Sequence, residues 1–225
     1  MRKQQKILLI EGQDDRIFFQ HFLCKLDIQV DIEPKTPKNF CQTTSDGIDV
    51  LRTQALPTAW ERITSGELTH LGIVVDADSQ IQGYGFTKRR DQITNVLKEY
   101  GYDIPELSNI PLKGEIFTHP EEFTPIGLWI MPTHSADGML EDLLLDNLSD
   151  NIQQALLDKA DETISELGDL RTFKDTHLSK ARLSTLLAWQ KKPGTSAGKA
   201  YQAGVFAADS AALTAFTLWL QAVFQ

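Results

Sequence analysis

The sequence predicts an α/β fold: a mostly parallel sheet flanked by helices, with a helical C-terminal extension. Two runs, Ile7-Leu-Leu-Ile10 and Leu71-Gly-Ile-Val-Val75, are apolar throughout, the pattern of strands buried on both faces of a parallel sheet. Helical periodicities alternate with the strand-like runs as far as Gly101, giving an order β-α-β-α-β-α that favours right-handed crossovers. Both apolar runs end in carboxylates, Glu11 after the first and Asp76 and Asp78 after the second. The carboxyl ends of parallel strands are where open α/β sheets keep their binding sites.

The elements follow in order. After Glu11-Gly12, Asp14 and Asp15 open a helix marked by Ile17, Phe18, Phe22 and Leu26. Ile28-Gln-Val-Asp-Ile32 alternates like a second strand, and residues 34–45, with two prolines and several Ser, Thr and Asn, read as a loop. Ile48, Leu51 and Leu56 mark a second helix, with Ser45 or Asp46 as its N-cap and Pro57 as its stop. Residues 71–75 form the third strand. A glycine-rich connection over 80–85 leads to a third helix with Ile93, Val96, Leu97 and Tyr100, closed by Gly101. Glu115-Ile-Phe117 and Gly127-Leu-Trp-Ile-Met131 suggest two further strands as an antiparallel pair, the second ended by Pro132. A helix begins in Gly138-Met-Leu-Glu-Asp-Leu-Leu-Leu145, and from Asn147 the chain is mostly helical. Its stripes are Ile152, Leu156 and Leu157; then Leu178, Ala181, Leu183, Leu186 and Leu187 up to Trp189; then Leu213, Phe216, Leu220 and Phe224. A boundary near Asn147 divides a core, residues 1–146, from an extension, 147–225, packed on it.

Among the 225 residues, 41% are hydrophobic and 24% charged, ordinary values for a globular protein. No apolar run approaches the roughly 18 residues that span a bilayer, so neither a membrane segment nor a signal peptide is expected. Cys24 and Cys41 fit no metal-ligand spacing and form no disulfide framework, which points to a reducing cytoplasm. The net charge is −9; up to Leu145 there are 14 basic and 22 acidic residues, giving −8, and the remaining 8 and 9 give −1. Such a balance argues against a general nucleic-acid binder, whose affinity comes from released counterions. It leaves room for an enzyme whose metal ions supply positive charge locally.

Alternation would point Asp76 and Asp78 the same way, as sharing one cation requires; the plainer account is a solvated or capping Asp-x-Asp. Glu11 reads as a metal ligand or as half of an ion pair. Asp15 and Asp14 stand in a first helical turn, where the helix dipole favours acids whatever their function. Lys88-Arg89-Arg90 opens the third helix as a candidate phosphate-binding run, or as a solvated helix face. His119 and His134 have no spacing that makes them a metal pair, and Trp129 and Trp189 read as core. Gly194-Thr-Ser-Ala-Gly198-Lys199 is one residue short between its glycines for a Walker A loop and lacks the following Ser or Thr.

Glu11-Gly12 with Asp15 after one buried strand, and Asp76-x-Asp78 after another, resembles the TOPRIM domain of topoisomerases, bacterial primases, RecR-type repair proteins and OLD-type nucleases. The E-G-x-x-D form is most similar to the OLD-like branch. Gly127-Leu-Trp-Ile-Met-Pro132 and Gly138-Met-Leu-Glu-Asp142 resemble a family of small, stand-alone bacterial TOPRIM-like proteins of uncharacterised function. The resemblance implies a Rossmann-like TOPRIM domain over residues 1–146. It implies Glu11 as acid/base or metal ligand, Asp76 and Asp78 as catalytic carboxylates holding Mg²⁺ (or Mn²⁺), and Asp15 as a further ligand of a two-metal centre. Glu141 is the candidate from the later helix; the alternative for it is a first-turn acid favoured by the dipole. Many TOPRIM proteins place a glycine soon after the Asp-x-Asp, whereas here the next is Gly83.

The expected function is therefore Mg²⁺-dependent phosphodiester cleavage, nuclease-like, on nucleic acid. The alternative is a non-catalytic TOPRIM-like module that binds a protein partner or a nucleic-acid end. A haloacid-dehalogenase type of phosphatase also starts from Asp-x-Asp, but it wants Thr or Val where Gln80 stands.

Overall fold

The computed structural model describes residues 5–26, 31–80, 83–106 and 113–225. Five strands form one sheet in the order β2-β1-β3-β5-β4. These are β1 (Gln5–Ile10), β2 (Ile32–Lys35), β3 (Leu68–Asp76), β4 (Glu115–Phe117) and β5 (Ile126–Met131). β1 is parallel to β2 and β3, β3 is parallel to β5, and β4 alone runs antiparallel, against β5. The α/β class with a mostly parallel, Rossmann-like sheet flanked by helices is thus as expected, and so is the antiparallel pair.

Alternation sorts the apolar strands between two cores. Leu8, Ile10, Val74, Trp129 and Met131 face α1 (Gln13–Lys25) and the C-terminal helices. Ile7, Leu9, Leu71, Ile73, Val75, Leu128 and Ile130 face the other side. That side is covered by α2 (Pro37–Cys41), a helix that begins as α3 (Ile48–Val50) and ends as α4 (Leu56–Thr64), and α5 (Phe86–Glu99). The first face carries α6 (Leu140–Leu145), α7 (Asn151–Glu166), α8 (Leu178–Ala188), α9 (Ala197–Gln202) and α10 (Ala211–Phe224).

Local expectations are corrected in four places. The strand expected over 28–32 begins at Ile32 and includes Pro34, so part of the loop expected over 34–45 is the edge strand β2, and another part is α2; Ile28 and Val30 lie outside the described residues. Pro34 is tolerated because an edge strand leaves one side of its backbone unpaired. Asp46 does not cap the second helix. Its Oδ1 accepts the Lys38 N–H of α2 at 2.8 Å, and Gly47 takes the cap position. Pro57 does not stop that helix either. A π turn over Leu51–Ala55 widens the ladder ahead of the proline, which then occupies the first turn of α4, where an absent N–H costs nothing. Ile152, finally, is 70% exposed; α7 packs through Leu157, Ala160 and Ile164.

α10 lies against a row of small residues on the sheet. Gly72 of β3 pairs with Leu8 on one side and Gly127 of β5 on the other. A Cβ on Gly127 would come within 2.4 Å of Val223, and one on Gly72 within 3.1 Å of the Phe224 ring. Trp219 of the same helix donates from Nε1 to the Glu115 carbonyl at 3.2 Å.

Candidate functional site

β1 leads through α1 to β2 on one side of itself, and the chain then crosses to β3 on the other side. The strand order therefore reverses between β1 and β3, and the crevice at their carboxyl ends is the place where open α/β sheets bind ligands. Glu11 follows β1 and Asp76 closes β3, one on each lip of that crevice. Asp15 comes up from the first turn of α1, and Glu141 reaches in from the first turn of α6.

Three of these carboxylates, Glu11, Asp15 and Asp76, are perturbed by burial and by their neighbours. Burial, above all, raises the Asp76 carboxyl well beyond its ordinary value, and the charges of Asp15, Glu11, Glu141 and Asp78 add to it. Asp15 is pushed up to about 7 by burial and by the Glu141 charge, with Lys180 opposing. Glu11 is also raised, by burial first; Arg89 and the Asp76 and Ile48 backbone amides pull the other way. Raised proton affinity in desolvated acids is a kind of perturbation that gathers at functional sites. Glu11 Oε2 and Glu141 Oε2 are buried without a hydrogen-bond partner. A void of about 10 Å³, near the size of one water, is enclosed by residues including Glu11, Asp15, Asp76 and Leu140.

Several side chains hold this arrangement. Asp76 Oδ1 accepts the Leu140 N–H at 3.0 Å, fastening the strand end to α6. Asp142 caps the same helix by accepting the Met139 N–H at 2.9 Å. Asp78 does not extend the strand alternation. Its φ is 59°, and its backbone exchanges bonds of 2.8 and 2.9 Å with Gly138. Its carboxylate pairs with Arg89, whose Nε also donates to the Asp76 carbonyl at 2.8 Å. So Asp78 joins the electrostatics of the site, but as one half of an ion pair rather than as a free twin of Asp76.

The basic run divides. Arg89 is 2% exposed and braces the Asp-x-Asp turn from below. Arg90 is buried as well; it donates to both Glu115 oxygens at 3.0 and 3.1 Å and to the Pro105 carbonyl at 2.8 Å. Glu115 also meets His134 Nε2 at 3.3 Å, and His134 Nδ1 accepts the Ile130 N–H at 2.9 Å, which leaves the proton on Nε2. Burial opposes the charge on Glu115, yet the bonds from His134 and Arg90 outweigh it and lower its carboxyl. Neither a phosphate-binding run nor a solvated face describes Arg89 and Arg90: each side chain is enclosed and spent on an internal acid. Lys88 alone is exposed, reaching the Gly83 carbonyl and the Tyr84 ring. Trp129 is core as expected, whereas Trp189 is 40% exposed.

Lys180 is an addition that sequence reasoning missed. It extends from α8 to Glu141 Oε1 at 2.8 Å. Burial disfavours its charge, but the Glu141 bond and the charges of Glu141, Asp15 and Asp76 overcome this and raise its pKa. No local pattern could have found it, since it lies 39 residues beyond its partner. Beside it, a cleft of about 350 Å³ runs from Asp14, Glu141 and Lys180 along Ile17, Leu183 and Leu187 to the 194–198 loop. No group of three or more His, Cys, Asp or Glu among the described residues converges to hold a metal ion. No helix among them is long and apolar enough to cross a membrane.

A family model described as Protein of unknown function (DUF3226) matches residues 5–225. Neither a curated protein nor a solved structure matches the chain.

Proposed function

We propose a divalent-metal-dependent, phosphodiester-cleaving activity on nucleic acid for this chain, which belongs to the DUF3226 family. The observation that carries this reading is the set of carboxylates at the switch point, Glu11, Asp15, Asp76 and Glu141: the first three have raised proton affinities, and Glu11 and Glu141 each keep a buried oxygen without a partner among the described residues. The TOPRIM resemblance of the same positions is in accord with it. In chemistry the donors suit a hard cation, oxygen only and several of them charged, but among the described residues no three of them converge on one position, so binding would have to draw them together. Glu11, Asp15, Asp76 and Glu141 would hold Mg²⁺ or Mn²⁺, joined by Asp78 once it leaves Arg89. When bound, such ions supply Lewis acidity and a nucleophilic water for in-line displacement at phosphorus.

The chain's own residues have separable tasks. Glu11, buried and raised, takes or gives a proton at its carboxylate. Arg89 fixes the Asp-x-Asp turn. Lys180 balances Glu141 and stands in the cleft beside the carboxylates, where it can meet a phosphate oxygen.

Calorimetric titration of Mg²⁺ and Mn²⁺ into the wild type, Glu11→Gln and Asp76→Asn tests the reading. Saturable binding lost in both variants, with cleavage of single-stranded DNA, duplex DNA or RNA by the wild type alone, is the expected result. Binding that neither variant changes would remove the site. One observation favours a second reading, a non-catalytic TOPRIM-like module for a protein partner or nucleic-acid end: Arg89 and Lys180 already supply internal countercharge. No saturable metal binding by the wild type, together with no cleavage of any of the three substrates, would select it.

A further inference from the structure

The C-terminal helices carry a charge opposite to that of the rest of the chain. Residues 178–225 contain Lys180, Arg182, Lys191, Lys192 and Lys199 against one acid, Asp209; of 22 basic and 31 acidic residues, 17 and 30 remain for 1–177, so the two parts carry +4 and −13. Three of these lysines, Lys191, Lys192 and Lys199, line a cleft of about 640 Å³ together with His21, Asp150 and Thr195. All three are exposed, and among the described residues no hydrogen bond or ion pair engages their ammonium groups. Asp150, the acid in this lining, caps α7, its Oδ1 accepting the Ile152 and Gln153 N–H groups at 2.8 and 2.9 Å. Thr195 also lines the cleft that holds Lys180 and Glu141, so the two depressions flank the same residue ahead of α9.

We propose that this lysine-lined cleft binds the phosphodiester backbone of single-stranded nucleic acid and leads it past Thr195 and Lys180 to the carboxylates. The proposal rests on the phosphodiesterase reading for its endpoint, though not for the binding itself. Unpaired ammonium groups in a concave wall release counterions when phosphates replace them. Of the acids in residues 1–177, Asp150 lines the cleft, and exposed charges more than about 8 Å away are largely screened at physiological salt. A single flexible strand can follow such a depression with its phosphates, and duplex DNA of the same length is the competitor that tests this preference. The surface also supplies the phosphate-binding cations that Arg89 and Arg90, enclosed in the fold, cannot provide.

The test is fluorescence anisotropy with a short labelled oligothymidylate in EDTA, comparing the wild type with the triple variant Lys191→Ala, Lys192→Ala, Lys199→Ala, from about 50 to about 200 mM salt. The triple variant is expected to bind at least about tenfold more weakly at low salt. Its log K against log salt slope should be shallower by about 2, because each phosphate neutralised on a single strand contributes ~0.7. A thermal melt matching the wild type shows that the fold is kept. Equal binding by the two proteins, no binding by the wild type, or equally good competition by polyglutamate would each overturn the proposal. Magnesium-dependent cleavage separates the two readings. If the triple variant cleaves as fast as the wild type, the cleft is wrong and the enzyme stands; if binding falls in the variant while neither protein cleaves, the cleft stands and the enzyme falls.

Discussion

Asp15 and Asp76 show how much a few side chains can decide. An acid whose carboxyl is raised in the folded state favours the fold while protonated, and that contribution is complete below its ordinary value. For Asp15 it is lost as pH rises from its ordinary 3.8 through about 7. The metal-free protein is therefore expected to be more stable near pH ~5 than near pH ~8, by a margin that Asp15→Asn narrows, as urea denaturation at the two values would show. Asp76→Asn removes a like charge from the cluster, so it should abolish metal binding and leave the metal-free protein as stable or more so. A variant that unfolded instead would make Asp76 a structural residue. At Glu141 the sign reverses. Lys180→Ala strands a buried carboxylate, and a loss of about 1–2 kcal/mol is expected, moderated because the lysine is half exposed. Adding Glu141→Gln should recover most of it in a double-mutant cycle.

At the scale of elements, the two glycines under α10 and the buried triad beneath β4 carry the packing. Gly127→Ala would drive a methyl into Val223, and a cost of about 1–3 kcal/mol is expected in chemical denaturation. Glu115→Ala would leave Arg90 buried without its carboxylate, which costs about 3–5 kcal/mol. The apolar runs of β1 and β3 and the stripe of α10 are legible in the sequence because period-2 and period-3.6 patterns report burial directly. β2, α2 and the passage through Pro57 are not, because edge pairing and a π turn excuse prolines that a local rule treats as stops. Arg89 and Arg90 escape a local reading for a related reason: consecutive charges look solvated until Asp78 and Glu115 are brought to them.

For the molecule as a whole, the site is a junction of distant parts. Glu11 and Asp15 come from one end of the first strand-helix unit, Asp76 and Asp78 from the end of the third strand and the turn after it, Glu141 from the last helix of the core, and Lys180 from the extension. Metal binding should therefore stabilise the entire chain rather than one segment. At free metal near 100 times its Kd, about 2.7 kcal/mol is added, seen as a raised melting temperature that Asp76→Asn does not share.

The sequence by itself determined the α/β class, the parallel strands and the two lips of the crevice, because buried runs ending in acids are a local pattern with a local physical cause. It also singled out Glu11, Asp15, Asp76, Asp78 and Glu141 as candidate acids. Only the tertiary structure decided that Glu11, Asp15, Asp76 and Glu141 share one desolvated environment, that Asp78 is bound to Arg89, and that Lys180 and an unpaired set of lysines stand beside them. Charge pairing and desolvation depend on distances between residues tens of positions apart, and no periodicity along the chain encodes them.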